Sequence, residues 1–450
     1  MKKQTADLTH GNLPKQILFF SLPLIASNLL QVLFHMSDLA VVGRFSADGA
    51  NALGSVGSTA TLVTLFTGFL MGMGCGVNVL VAKFFGACDR DNVRRTVHTS
   101  AIVCTLIGLV ILLIGVTLAR PLLRLLGTHP DLLDGAILYL RIYFLGMPAL
   151  AIYNYGHGVL SAVGDTKRPL LYMLAAGILN IVLNLLFVIG FGMSIDGVAW
   201  ASVISQYLSA VLTLSALFRA RDVHGLNLRE LRIDLDMARL VLRMSIPAGL
   251  QNALFQVANL FIQASVNSLG NATLINGNSA AANSDALIFD VMAAFYTACS
   301  SFIGQNFGAG NRDRIKKSYF ICLAYSFGIA AIMSGSLVLF GRQFLSLFTT
   351  SQAVIDAGMT RLVIMGLSYP FSAFMDCTIS ASRGLGKTGA PTLIVMLGSG
   401  VFRLVWLVTV FLYFRTIESI YLLYIFSWTV TAIAEIVYFR RIYKKTALAL

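Results

Sequence analysis

Apolar stretches of about 20 residues, separated by short polar breaks, recur from one end of the chain to the other, as in 97–118, 169–191 and 390–413. At 1.5 Å per helical residue, such a stretch crosses the roughly 30 Å hydrocarbon layer of a bilayer. In lipid the backbone must satisfy its own hydrogen bonds, so these stretches can be only helices or a closed barrel, and barrel strands are half this length. The expectation is an all-α polytopic membrane protein with twelve transmembrane helices. Composition agrees, with 57% hydrophobic and 12% charged residues, against roughly 25% charged in soluble domains. That excludes a soluble enzyme, a disordered chain and a fibrous one. Met1-Lys2-Lys3 ahead of an apolar run superficially resembles a signal peptide. No small-residue cleavage site closes the run, so it reads as a retained first span.

The formal charge of +13 is unevenly placed. Lys83, Arg90, Arg94 and Arg95, then Lys167 and Arg168, the 219–243 break, Arg312 to Lys317, and Arg440 to Lys445 all fall on alternate junctions. By the positive-inside rule, those junctions and both termini face the cytoplasm, which places the chain in the plasma or inner membrane. The charge is therefore an orientation signal, and no nucleic-acid partner is expected. The longest polar break separates an N-terminal lobe of helices 1–6 (residues 1–218) from a C-terminal lobe of helices 7–12 (241–450). The linker, 219–240, reads as an amphipathic segment lying in the interface, with Leu226, Leu228, Leu231, Ile233 and Leu235 among basic residues. The six cysteines form no CxxC pair and suggest neither a disulfide framework nor a zinc site.

The two lobes repeat one another. Phe85-Gly-Ala-Cys-Asp-Arg-Asp-Asn-Val-Arg-Arg95 returns as Phe307-Gly-Ala-Gly-Asn-Arg-Asp-Arg-Ile-Lys-Lys317, Gly164-Asp-Thr166 as Gly386-Lys-Thr388, and Pro148 as Pro370. Ser21-Leu-Pro23 returns as Ser245-Ile-Pro247. An even number of spans per copy makes the repeats parallel, an architecture of secondary transporters with a substrate site at mid-depth between the lobes.

With Gln305-Asn-Phe-Gly-Ala-Gly310-Asn311, Arg383-Gly-Leu-Gly-Lys-Thr388, Pro23 with Asp38 on the first helix, and Asn180-Ile-Val-Leu-Asn184, the chain resembles the multidrug and toxic compound extrusion family over nearly its whole length. The resemblance implies efflux of bulky, often cationic organic compounds, driven by protons or sodium, with no enzyme activity and no cofactor beyond the coupling ion. It also implies a cation site formed in the N-terminal lobe by Asp38 with the positions of Asn180 and Asn184. The family pattern commonly has aspartate where this chain has Asn184 and tyrosine where it has Phe34, so one of two acids is kept.

Carboxylates at mid-depth cost about 2.5–3.5 kcal/mol on insertion scales, and Asp38, Asp290, Asp376 and Glu435 lie inside apolar spans. Asp38 has no basic neighbour on its helix, which suits a group that binds and releases a proton. Asn180 and Asn184 share a helix face, Ser202 on the next helix can join them, and sodium held by Asp38, Asn180 and Asn184 is the alternative to a proton. Interhelical hydrogen bonding alone is the structural alternative for the two asparagines. Asp290 and Asp376 are either coupling residues or ion-pair partners of Arg403, the one cation placed mid-span; Asp285 is placed at the outer rim. Gln256 stands where some members carry glutamate. Pro23 and Pro247 each remove a helical hydrogen bond and are candidate hinges, Pro148 and Pro370 are expected to break helices four and ten, and the glycines from Gly68 to Gly76 to allow close packing. Ala381-Ser-Arg-Gly-Leu-Gly-Lys-Thr388 approaches a phosphate-binding loop but lacks the strand that loop requires. The rival functions are a lipid-linked precursor flippase, which calls for several basic cavity residues, and a non-transporting membrane receptor. The expected partners are small organic substrates and the bilayer, with no obligatory protein partner.

Overall fold

A computed structural model describes residues 7–45 and 49–449; Lys2 and Lys3 of the charge pattern lie outside them. The described residues form helices and no strand. In order these are α1 (Leu13–Phe45), α2 (Gly49–Gly86), α3 (Arg90–Leu125), α4 (Pro130–Phe144), α5 (Met147–Ala162), α6 (Lys167–Gly190), α7 (Ile195–Arg219), α8 (Leu235–Asn267), α9 (Ala272–Gly308), α10 (Arg312–Ser346), α11 (Gln352–Gly384), α12 (Gly389–Phe414) and α13 (Ile417–Ala449). Ten of them are long and apolar enough to cross a membrane, and eleven if the bent pair α4–α5 counts as one span. The twelfth expected span corresponds to α8, whose 33 residues fall short of that test. Gln251, Asn252, Gln256, Asn259 and Gln263 put a run of amides along it. Large apolar side chains such as Leu113, Val182, Ile189 and Val211 stay exposed on the other helices, the surface that a multi-pass membrane protein offers to lipid.

The duplication is visible in the helix starts. Leu13 and Leu235, Arg90 and Arg312, Pro130 and Gln352, Lys167 and Gly389, and Ile195 and Ile417 all stand 222 residues apart. The repeated turn before α3 and α10 shows why its residues recur. Asp89 and Asn311 cap the following helices by accepting hydrogen bonds from Asn92 N (3.1 Å) and Arg314 N (3.4 Å), supplying acceptors for otherwise orphaned helix-start donors. The residue ahead of each cap is left-handed, Gly310 at φ 71° and Cys88 at φ 54°. A side chain disfavours that conformation by roughly 1–2 kcal/mol, so Cys88→Gly is expected to stabilise the protein by about 0.5–1 kcal/mol, read as a raised midpoint of thermal unfolding in detergent.

The chain divides into two compact units, one comprising Ala26–Ala253 and the other Leu8–Ile25 with Leu254–Leu450. The division falls inside α1 and α8 and not at 219–240, because the first part of α1 packs on the second unit and the first part of α8 on the first. In the second unit Leu13, Ile17, Phe20 and Leu24 join its core, with the Phe20 and Phe302 rings 5.4 Å apart. Arg314 fixes the preceding segment through the carbonyls of Leu8 and Gly11. In the first unit Ser245 donates to Met73 O (3.1 Å) and Asn252 to Gly68 O (2.9 Å). Pro23 and Pro247 lie just ahead of these two transitions, both inside continuous helices.

The glycines of α2 serve close approach. A Cβ on Gly72 would fall 2.4 Å from Gly249 N, and one on Gly74 would fall 2.6 Å from Asn154 O. Because backbone atoms cannot swing aside, Gly72→Ala is expected to lose about 1–3 kcal/mol, whereas Gly57→Ala, with nothing within 4 Å, should not lower the unfolding midpoint.

One expectation needs correction here. Pro148 does end a helix, with a 46° bend between α4 and α5, but Pro370 lies inside an unbroken α11. The position two before Pro148 is Gly146, whereas its counterpart is Ser368, whose hydroxyl donates to Ile364 O at 2.6 Å. The linker packs against α3. Leu226 is buried and Asn227 N donates to His98 Nε2 at 3.0 Å, Arg95 pairs with Asp234 at 2.5 Å, and only a single turn forms at Leu228–Glu230. Hydrogen bonds to α3 hold it along that helix.

Candidate functional site

The polar residues singled out in the first unit come together. Asp38 on α1 is 7% exposed and Asn184 on α6 fully buried. Asn184 Nδ2 donates to Asp38 Oδ1 at 2.5 Å and to Asn180 Oδ1 at 3.2 Å. Ser202 Oγ on α7 donates to Asp38 Oδ2 at 3.2 Å, and Asn180 Nδ2 reaches Ser202 Oγ at 3.4 Å. Both carboxylate oxygens thus accept from neutral donors, and among the described residues no basic group bonds to them. The spacing of Asn180 and Asn184 places both amides on one face of α6, and glycine one turn earlier lets α1 approach. A Cβ on Gly177 would fall 1.7 Å from Phe34 Cε2, so the ring one turn before Asp38 rests on bare backbone. Tyrosine in place of Phe34 would put a hydroxyl on this same contact.

Two residues of the surroundings were missed by sequence reasoning. Tyr139 and Tyr143 on α4 stack with centroids 5.7 Å apart and lie within electrostatic reach of Asp38. Their i, i+4 spacing is the signal that would have paired them. Val41, Val42, Val188 and Val198 pack with Tyr139 as an apolar wall. Asn184 Oδ1 is buried without a hydrogen-bond partner among the described residues, leaving an acceptor open. With the Asp38 carboxylate, Asn180 Oδ1 and Ser202 Oγ, it gives an oxygen set that fits sodium chemistry, and Asp38 alone can take a proton.

The second unit is built differently. At the 222-residue offset, Asn180, Asn184 and Ser202 correspond to Phe402, Trp406 and Tyr424, so aromatic rings replace the polar cluster. Arg403 lies over the Tyr424 ring at 4.7 Å and the Phe255 ring at 5.7 Å, and its Nε donates to Ser427 Oγ at 3.4 Å. No ion pair within 4 Å joins Arg403 to Asp376 among the described residues, because its guanidinium is held between aromatic faces. Asp376 is buried within electrostatic range of Arg383 and Arg403; Asp290 is half-buried on α9. Arg403 is not the one buried cation either. Arg361 pairs with Asp285 and donates to Asn278 Oδ1 at 2.5 Å, under the Tyr421 ring, so Asp285 has an ion-pair partner that the sequence did not point to.

Comparison with known proteins identifies the family. The MatE family model matches the chain twice, over residues 23–186 and 247–409. "Probable multidrug resistance protein YpnP" of Bacillus subtilis (strain 168) is 30% identical over 365 residues, covering 81% of each chain. "Probable multidrug resistance protein YoeA" of the same organism is 29% identical over 386 residues, covering 83% of this chain and 82% of its own. A solved structure described as the outward-facing conformation of a multidrug resistance MATE family transporter of the MOP superfamily has a TM-score of 0.90 at 21% identity, over 99% of both chains. The doubled family match, one copy per repeat, means that this chain belongs to the multidrug and toxic compound extrusion (MatE) family, and is a membrane-embedded secondary transporter rather than an enzyme.

Proposed function

We propose that the chain is a plasma- or inner-membrane antiporter of two six-helix lobes joined by the 219–240 linker, with both termini in the cytoplasm. It exports bulky, cationic organic compounds by alternating access, and Asp38 couples that export to a proton gradient. The observation that carries the reading is a buried carboxylate held by Asn184 and Ser202 with no basic partner bonded to it. Such a group exchanges a proton without dismantling its surroundings, because amide and hydroxyl donors can reorient. Substrate and proton are coupled if each favours a different arrangement of the transporter. The names of the two Bacillus relatives support a multidrug substrate range. Pro23 and Pro247, beside the points where α1 and α8 pass from one unit to the other, are the proposed hinges, with Asp290 and Asp376 as further coupling candidates.

A sodium gradient is the second reading, favoured by the open Asn184 Oδ1 beside Asn180 Oδ1 and the carboxylate. The flippase reading gains nothing from the buried arginines, since Asp285 neutralises Arg361, and Asp376 and Glu435 face Arg383. The test is efflux of a fluorescent organic cation from vesicles under separate pH and sodium gradients. Flux driven by the pH gradient alone is the expected result; flux driven by sodium alone transfers the coupling to the second reading, and flux under neither rejects ion-coupled export of this class.

A further inference from the structure

Outside the Asp38 cluster, a line of buried polar groups runs through the second unit. Ser427, Thr431 and Glu435 occupy successive turns of α13 and are fully buried. On α12 Ser399 and Arg403, also buried, face them. Arg403 Nε donates to Ser427 Oγ at 3.4 Å, and the Ser399 and Thr431 hydroxyls are 3.0 Å apart. Gly398 permits that approach, since a Cβ there would fall 2.4 Å from Thr431 Oγ1. One turn further, both carboxylate oxygens of Glu435 are buried without a hydrogen-bond partner among the described residues. The charged and titratable groups facing it are Arg383 and Asp376 from α11 and Tyr438 from its own helix.

A carboxylate enclosed in this way, neither hydrogen-bonded nor paired, is too costly to hold unchanged. A metal cation is poorly served, because the Arg383 guanidinium repels it and no group of three His, Cys, Asp or Glu side chains among the described residues could hold one. A proton needs neither. We propose that Glu435 is a second proton-binding carboxyl of this transporter, loaded and unloaded from the end of α13 that carries Arg440 and Arg441. A proton adds to one Glu435 oxygen to give the neutral acid and leaves by the same route. Ionised, Glu435 competes with Asp376 for Arg383; neutral, it releases Arg383 to Asp376. This rests on the ion-coupled reading above for its role in transport, though not for the titration itself.

The sequence offers a clean test, because Glu230, Glu418 and Glu435 are its three glutamates and the first two are exposed. Full-length protein carrying glutamate labelled with carbon-13 at the side-chain carboxyl is titrated in lipid nanodiscs. One signal should titrate apart from the other two, persist in Asp38→Asn, vanish in Glu435→Gln, and change its midpoint in Arg383→Gln. In a proton-driven flux assay, Glu435→Gln should lower steady-state substrate accumulation about tenfold for each pH unit of gradient, the worth of one proton, with Glu435→Asp restoring part of it. A third signal that never changes protonation, or a midpoint indifferent to Arg383→Gln, overturns the proposal even if Glu435→Gln fails to fold. An unchanged accumulation ratio in folded Glu435→Gln overturns the transport role. If wild type shows no proton-driven flux, the coupled-export reading fails while the titration is judged separately.

Discussion

Asp38→Asn is expected to abolish gradient-driven export while leaving the protein folded and inserted. Asparagine has nearly the shape of aspartate, its Oδ1 can accept from Asn184 Nδ2, and its Nδ2 can donate to the Ser202 hydroxyl, which then turns round. Both hydrogen bonds now made by the carboxylate keep a partner, and a buried charge is removed, so the unfolding midpoint should hold or rise. Proton binding at Asp38 is lost outright, and a proton at Glu435 does work only in a cycle that Asp38 completes. Each pH unit across the membrane is worth about 1.4 kcal/mol per proton, or a tenfold substrate ratio. The accumulation ratio of a fluorescent cation in energised vesicles should therefore collapse to about one in the variant. Binding of the same cation in detergent should persist, which separates lost coupling from a lost site. A variant that still accumulates substrate would take Asp38 out of the coupling step and leave Asp290, Asp376 and Glu435 to carry it. The converse change, Asn184→Asp, places a second carboxyl in direct contact with the first. Two carboxylates at that distance share one proton, so the pH dependence of flux should broaden without loss of activity.

The Asp38 cluster was legible because it contradicts its context. A carboxylate, two amides one turn apart and a serine stand out in helices that are otherwise apolar, and the spacing on α6 gives a common direction. The doubled motifs likewise revealed a repeat that the helix starts reproduce residue for residue. What escaped was whatever hydropathy cannot register. Tyr139 and Tyr143 look like ordinary apolar filling in a span and acquire meaning only when α4 brings them beside α1. Pro148 and Pro370 are equivalent in the repeat, yet only the first stands at a helix break, a difference that hydropathy does not register. The linker showed alternating leucines and arginines, but its actual partner is a histidine on α3 far away in sequence. The pair of Arg361 and Asp285 escaped because two residues 76 positions apart meet only when α9 packs against α11.

That ion pair carries the other large expected effect. Arg361 is 5% exposed and serves two acceptors at once, the Asp285 carboxylate and Asn278 Oδ1, while Gln263 on α8 and Tyr421 on α13 also hydrogen-bond to Asn278. Four helices of the second unit therefore meet on one guanidinium and one amide. Arg361→Met keeps the length of the side chain but leaves Asp285 charged, partly buried and without its counter-ion, a situation that costs about 3–5 kcal/mol. The variant should unfold at a markedly lower temperature in detergent than wild type. Arg361→Lys should recover only part of the loss, because an ammonium cannot present the planar fork that reaches both acceptors. The decisive comparison is the double variant Arg361→Met with Asp285→Asn. If the cost is the stranded charge, neutralising it should return most of the lost stability, since replacing a whole buried pair by uncharged groups is often neutral. If the double variant is as unstable as the single, the guanidinium instead supports the fold through Asn278 and the Tyr421 ring, and charge pairing contributes little. The fluorescent-cation assay on a stable double variant then decides a further point: retained flux makes the pair a structural tie of α9 to α11, whereas lost flux in a protein of wild-type stability makes Arg361 part of the moving machinery.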